Sequence, residues 1–273
     1  PGLKDEPQHV KQGRIMIPLL ESMEIPYAVL PQNDDELYDC IFASLKIVKK
    51  KSSPLVLIAK KNHFHPYNFS SSIYNDLDMT REEALKIIIN QLDDSDLIVS
   101  TTGMTSREIF EYREEINKSH NNDFLTVGGM GHASQIALGI SNQCLDRQVI
   151  CIDGDGAAIM HFGSLIINAS ESSKNFKHII INNGAHDSVG GQSTAGLKIN
   201  ITKIANNIGY KTLKPILKKQ ELSSHVKKIL QLDGPAFLEV KVKKGARKSL
   251  GRPTTTPIEN KNGFMQNISD RNK

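Results

Sequence analysis

Two short stretches carry the residues best placed to do chemistry. In "VICIDGDGAAIM", residues 149–160, an apolar run ends in Asp153-Gly154-Asp155-Gly156 before a second apolar run begins. In "HIIINNGAHD", residues 178–187, another apolar run ends in Asn182-Asn183. A strand end that leads into a helix presents free backbone N–H groups, and glycine lets the backbone approach an oxyanion closely. Asp155 adds a hard oxygen for a cation. Mg²⁺ takes few protein oxygens and fills its shell with phosphate oxygens, so one carboxylate beside a helix start fits a magnesium–diphosphate pair. A second ligand has to come from the next strand end, and Asn182 follows Gly156 after 25 intervening residues. An amide oxygen there adds no negative charge opposite the phosphates.

The elements that must position these groups alternate along the chain. "DLIVS" (96–100), "DFLTV" (123–127), "QVICID" (148–153), "HIIIN" (178–182) and "AFLEVKV" (236–242) read as strands, rich in Ile and Val and so covered on both faces. Helical patterns fill the gaps. Thr80-x-x-Glu83 opens a helix to Leu92, and Thr105-x-x-Glu108 repeats the capping-box spacing before "IFEYREEI". "GHASQIALGI" and "AAIMHFGSLIINAS" follow two further strands as helices. This alternation predicts an α/β fold with a parallel sheet flanked by helices. Ahead of it, "DDELYDCIFASLKIVKKK" is one helix and "PLVLIAK" one strand, the back half of another α/β unit. The polar "KNHFHPYNFSSSIYNDLD" (61–78) reads as a linker, and the tail from Gly245 as irregular. His63 and His65 have a metal-pair look but no acidic or Cys partner close by in sequence, and a structural role is the better reading.

The bulk composition narrows the classes. The 273 residues are 38% hydrophobic and 23% charged with a net charge of +4, enough chain for one large or two modest α/β domains. That charge is too mild for a nucleic-acid binder, and with no Trp and 5% aromatics there is no stacking surface. Cys40, Cys144 and Cys151 show no CxxC spacing, which points to a reducing cytoplasm. No 18-residue apolar stretch suggests a membrane span.

Gly-Asp-Gly followed at this spacing by Asn-Asn resembles the cofactor motif of the thiamine-diphosphate enzymes. The closer resemblance is to the phosphonopyruvate decarboxylase family, with the sulfopyruvate decarboxylases as near relatives. "PGLKDEPQH", "TTGMTSRE", "GGMGHAS", "NNGAHDSVGGQ" and "ARKSLGRPTTTP" all carry it, across nearly the whole chain. The resemblance implies a thiamine-diphosphate-binding fold. The C-terminal part of a similar, pyrimidine-binding domain would occupy 1–65, a linker 66–79, the diphosphate-binding domain 80–245 and a tail 246–273. It implies thiamine diphosphate and Mg²⁺ as cofactors. Asp155 and Asn183 would ligate the metal by side chain and Ala185 by its carbonyl, while Asn182 braces the turn. Cofactor contacts would come from Thr102, Gly103 and Met104, from Gly129 and Met130 (the latter as the apolar wedge that keeps the cofactor bent), and from Gly154, Gly156, Ala157 and Ala158.

The activity implied is that of a carboxy-lyase acting on 3-phosphonopyruvate, a small 2-keto acid, in phosphonate biosynthesis. His9, His132 and His186, with Gln192, are the polar candidates near the reacting carbon, and Arg247 or Arg252 for the phosphonate. In this superfamily a glutamate upstream of the "KDEPQH" loop promotes cofactor activation. The chain opens at that loop, so a missing front half is expected. A homo-oligomer, dimer or larger, is implied, with neither nucleic acid nor membrane as partner. Three other readings compete. One is a sulfopyruvate decarboxylase or its diphosphate-binding subunit. Another is an inactive half-site subunit. The third is a haloacid-dehalogenase-like phosphatase with Asp153 as nucleophile beside Asp155; it expects Thr or Val at Ala157 and does not account for Asn182-Asn183.

Overall fold

The computed structural model describes residues 7–65 and 77–271, and the chain divides into two compact units, 1–72 and 73–273. Most of the expected linker, residues 66–76, and the start of the "PGLKDEPQH" segment lie outside the described residues.

In the first unit, α1 (Pro7–Ser22), β1 (Tyr27–Val29), α2 (Asp34–Lys51) and β2 (Val56–Ile58) follow one another, and the two strands pair in parallel. The sequence made α2 legible. The Asn33 side chain accepts from the N–H groups of Asp35 and Glu36, Asp34, Asp35 and Glu36 fill the first turn, and Lys49, Lys50 and Lys51 the last. The stretch around "PQH", read as a loop, is instead the start of α1, because Pro7 occupies a first helical position that needs no N–H partner.

The second unit is a three-layer sandwich. In chain order its elements are α3 (Arg81–Ile89), β3 (Leu97–Ser100), α4 (Met104–Glu115), β4 (Asp123–Leu125), α5 (Ala133–Gln143), β5 (Val149–Gly154), α6 (Asp155–Met160), α7 (Ser164–Glu171) and β6 (Phe176–Asn182). Then come a short hairpin, β7 (Ala185–His186) and β8 (Gln192–Ser193), followed by α8 (Ile201–Asn207), β9 (Lys211–Thr212), α9 (Lys219–Gln231), β10 (Ala236–Lys241) and α10 (Pro257–Arg271). Six parallel strands run in the order β4-β3-β5-β6-β10-β9. Successive strand residues point to opposite faces. Ile98, Ile150, Ile152, Ile179, Ile181 and Leu238 pack against α3, α4 and α9. Leu97, Val99, Val149, Cys151, Ile180 and Phe237 pack against α5, α7, α8 and α10. Burial on both faces explains why these strands read as continuous apolar runs rather than alternating ones.

Four expectations need correction. Thr80 and Glu83 form the capping box of α3, but Thr105 and Glu108 form none. Gly103, at φ 96°, takes the N-cap position of α4, a backbone conformation that suits glycine, so Thr105 already lies inside the helix. "AAIMHFGSLIINAS" breaks into α6 and α7, with His161 to Gly163 between them. The linker does not extend to 79, since Met79 is fully buried in the core of the second unit. The tail is not irregular throughout. Thr256 and Glu259 make a reciprocal cap at the start of α10, Phe264 is fully buried, and Asn260 bonds the backbone of β4 at Asp123 and Leu125. The helix thereby covers the edge strand.

Candidate active site

The strand order reverses beside β3: the chain goes outward to β4 and returns to place β5 on the other side. In an open parallel sheet the crevice at such a reversal, outside the carboxyl ends of the strands, is where ligands bind. A cleft lies there, lined by Thr101, Thr102, Met104 and Thr105 after β3, by Met130 after β4, and by Gly154 to Ala157 after β5. Ile181, Asn183 and Ala185 to Ser188 at and beyond the end of β6, with Arg81 from α3, complete it.

Pairing of β5 with β6 sets Gly154 opposite Ile181, which brings the two motif ends together. The N–H of Asn183 lies 3.4 Å from Asp155 Oδ1 and donates to it. The second oxygen, Oδ2, accepts from the hydroxyl of Thr194. That hydroxyl is returned to the site by the β7–β8 hairpin and the bond from Thr194 N–H to the Gly184 carbonyl. Gly196 N–H donates to Thr194 Oγ1 at 3.0 Å. A Cβ on Gly196 would collide with Asp155 Oδ2, and one on Gly156 would meet the His186 ring at 2.5 Å. Glycine at both positions allows this close approach to Asp155 and its surroundings.

Asn182, fully buried, ties the turn: its amide donates at 2.8 Å to the Gly196 carbonyl and to Glu239 Oε1, and its oxygen accepts from Gly184 N–H at 3.2 Å. Asn183 donates from Nδ2 to Asp187 Oδ2 at 2.6 Å and accepts from Ala185 N–H at 3.0 Å.

Asp155 is 1% exposed, and no ion pair reaches it among the described residues. Burial raises its pKa above the ordinary 3.8, against the hydroxyl and backbone donors that pull it down. The buried carboxylate thus has a hydrogen-bond donor on each oxygen and no cationic side chain paired with it among the described residues. On the chemistry of its donors, the site fits a hard divalent ion: one carboxylate, the Asn183 amide oxygen and the Ala185 carbonyl, with room for phosphate oxygens.

Of the residues singled out from sequence, Thr102, Met104, Met130, Gly154, Asp155, Gly156, Ala157, Asn183, Ala185 and His186 line this one cleft. Gly103, Gly129 and Ala158 adjoin lining residues along the chain without lining it themselves. His132 is exposed, its ring 4.4 Å from that of His161. His9 sits on α1, in the other unit. Gln192, on β8, is exposed and outside the lining. Arg247 pairs with Glu82 and Glu111 rather than turning into the cleft, and Arg252 is likewise not among the lining residues. Asp153, the competing nucleophile, is 1% exposed and faces the other side of the sheet with Cys151 and His178, whose ligand atoms lie within 4.8 Å of its own.

Sequence reading missed Arg81, Asp187, Ser188 and Thr194. Arg81 is buried and forks onto Glu108, with Nε to Oε2 at 2.8 Å and Nη2 to Oε1 at 3.0 Å, while Nη1 reaches Asp187 Oδ2 at 2.9 Å. Burial opposes its charge, yet the two carboxylates hold the guanidinium pKa above its ordinary value. Burial likewise raises the Glu108 pKa, against the pull of Arg81. The spacing of Glu108 from Thr105 reads instead as a cap, and no local pattern marks Arg81 as its partner.

Residues 101–240 match the family described as thiamine pyrophosphate enzyme, C-terminal TPP binding domain. The chain is 29% identical to phosphonopyruvate decarboxylase of Streptomyces viridochromogenes, over 95% of this chain and 68% of that one. It is 36% identical to sulfopyruvate decarboxylase subunit beta of Methanocaldococcus jannaschii, over 49% of this chain and 68% of that one. Benzoylformate decarboxylase from Polynucleobacter necessarius shares the fold, with a TM-score of 0.53 at 14% identity. That likeness covers 71% of this chain and 37% of the other, so the chain spans little more than a third of the solved structure's length.

Proposed function

The chain belongs to the thiamine pyrophosphate enzymes, and on that premise we propose that it decarboxylates 3-phosphonopyruvate to phosphonoacetaldehyde and CO₂ with thiamine diphosphate and Mg²⁺. The observation that carries the reading is the meeting of Asp155 and Asn183 at the ends of two central strands, in a cleft at the reversal of strand order. Asp155, Asn183 and the Ala185 carbonyl would hold Mg²⁺. The backbone at Gly154, Gly156, Ala157 and Ala158, with Thr102, Gly103 and Met104, would receive the diphosphate, and Gly129 and Met130 the rings.

Thiamine diphosphate supplies the electron sink for the pair released with CO₂. The chain's own residues bind, orient and shield. Thr194 and the Asn183 N–H fix both oxygens of Asp155 before any cation arrives, so little reorganisation accompanies binding. Met130 brings an apolar side chain into the cleft. His186, whose ring lies against Gly156, has a nitrogen available to move a proton within the cleft. His132 and His9, the other polar candidates, are not among the residues that line the cleft.

A homo-oligomer is part of the same proposal, supported by exposed Met160, Ile166 and Ile167 on α6 and α7. The three free cysteines suit a reducing cytoplasm, and no helix among the described residues is long and apolar enough to cross a membrane.

Sulfopyruvate is the second substrate reading, favoured by the 36% identity to the beta subunit. The protein at its natural length, with Mg²⁺ and thiamine diphosphate, is offered phosphonopyruvate, sulfopyruvate and pyruvate side by side while CO₂ is measured. Preferential release from phosphonopyruvate is expected. Preference for sulfopyruvate overturns the substrate, and release from none of the three overturns the activity.

A further inference from the structure

The structure assigns Asp187 a role resting on the metal reading above: it is a positioning residue that sets which end of the Asn183 amide can meet a cation. An amide side chain has one end that donates and one that accepts, and only the oxygen can ligate a metal. Asn183 Nδ2 donates to Asp187 Oδ2 at 2.6 Å, and Asn183 Oδ1 accepts from Ala185 N–H at 3.0 Å. The flipped amide would set its oxygen against the Asp187 carboxylate and its N–H₂ against the Ala185 N–H, so both contacts would become repulsive. The orientation is thus fixed, and the second lone pair of Oδ1 is left for the ion.

Asp187 is itself held from outside the cleft. Its Oδ2 also accepts from Arg81 Nη1 at 2.9 Å and from Gly245 N–H at 2.9 Å. Arg81 is anchored by its two bonds to Glu108, and all three side chains are at least nine-tenths buried. The relay Glu108–Arg81–Asp187–Asn183 joins α4 and α3 to the loop after β6. An Arg fork with both partners in place is stiff, and buried charges so bonded resist rearrangement. Metal sites commonly depend on such outer groups, whose loss weakens metal affinity about 10–100-fold.

The test is Mn²⁺ binding to the full-length protein in the presence of thiamine diphosphate, followed by electron paramagnetic resonance. Asp187→Ala is expected to weaken Mn²⁺ about 10–100-fold. The discriminating variant is Asn183→Asp, in which both side-chain ends are oxygens and orientation no longer matters. Placed on Asp187→Ala it is expected to restore Mn²⁺ affinity, with a gain at least about tenfold larger than it gives beside native Asp187. The control places Asn183→Asp on Asp187→Asn, which keeps an acceptor for the amide but not the like charge: a gain there as large as on Asp187→Ala reports relief of charge repulsion and overturns the proposal. An Asp187→Ala protein with affinity within about twofold of the parent, or additive effects of the two substitutions, overturns the proposal. If the unsubstituted protein binds no Mn²⁺ with thiamine diphosphate, the cofactor reading fails and this proposal with it.

Discussion

Asp153 and Asp155 stand two residues apart across the end of β5 and serve opposite surroundings. Asp155 lines the cleft and takes hydrogen bonds from Thr194 and Asn183. Asp153 is sealed among core residues on the other face, its Oδ2 3.8 Å from His178 Nε2. Only one of the pair can meet a ligand entering from solvent. Asp153→Asn is therefore expected to keep thiamine diphosphate affinity within a few-fold, while Asp155→Asn loses it. Calorimetric titration of both variants checks this, and equal losses would contradict the assignment.

The burial of Asp155 has a cost that pH exposes. Its pKa in the folded protein is raised above 3.8, so the folded state holds that proton more tightly than the unfolded state. Stability from this group is present below the ordinary pKa and falls as pH rises towards the folded value. Without cofactor, Asp155→Asn should melt higher than the parent, with a gap that opens as pH rises from about 4 and then levels. Saturating Mg²⁺ and thiamine diphosphate should reverse the order, because ligand binds only the parent. Melting curves across pH, with and without ligands, read both effects.

Gly196 is not among the residues that line the cleft, yet a methyl group there meets Asp155 Cβ at 2.7 Å and Asn182 Oδ1 at 2.8 Å. Gly196→Ala must displace the carboxylate or the turn that braces it. Misplacement of this kind lowers kcat/KM by about 10²-fold, and the loss should appear in steady-state assays while the far-ultraviolet circular dichroism is retained.

A control for stability lies far from the cleft. Arg113 forks onto Asp123 at 2.8 and 2.9 Å, and the aspartate is fully buried. Removing one partner strands the other, so Arg113→Ala should cost about 3–5 kcal/mol in urea unfolding. Lys118→Ala, which breaks an exposed pair with Asp94, should leave the midpoint unchanged.

Much of this was legible in the chain because the central strands and the motif ends obey local rules. Apolar runs of Ile and Val mark β5 and β6, glycine marks close approach, and Thr80 with Glu83 marks a helix start. What escaped depends on contacts distant in sequence. Arg81 meets Asp187 across 106 positions, and Thr194 reaches Asp155 across 39; no spacing rule announces either. The helix at 257–271 was missed because its few apolar residues gave a weak stripe, although Thr256 and Glu259 offered the same cap that betrayed α3. Glu108 was misread for the opposite reason. Its spacing from Thr105 imitates a cap, while its side chain turns inward to a guanidinium.

The order of the strands separates what must be invariant from what can drift. β5 and β6 are interior, flanked by β3 and β10, and the groups that converge on Asp155 grow from their ends. β4 and β9 form the two borders. Loops at those borders can lengthen, shorten or recruit new side chains without shifting the register beneath the acid. One rigid floor thus holds the acid in place while the rim stays open to change.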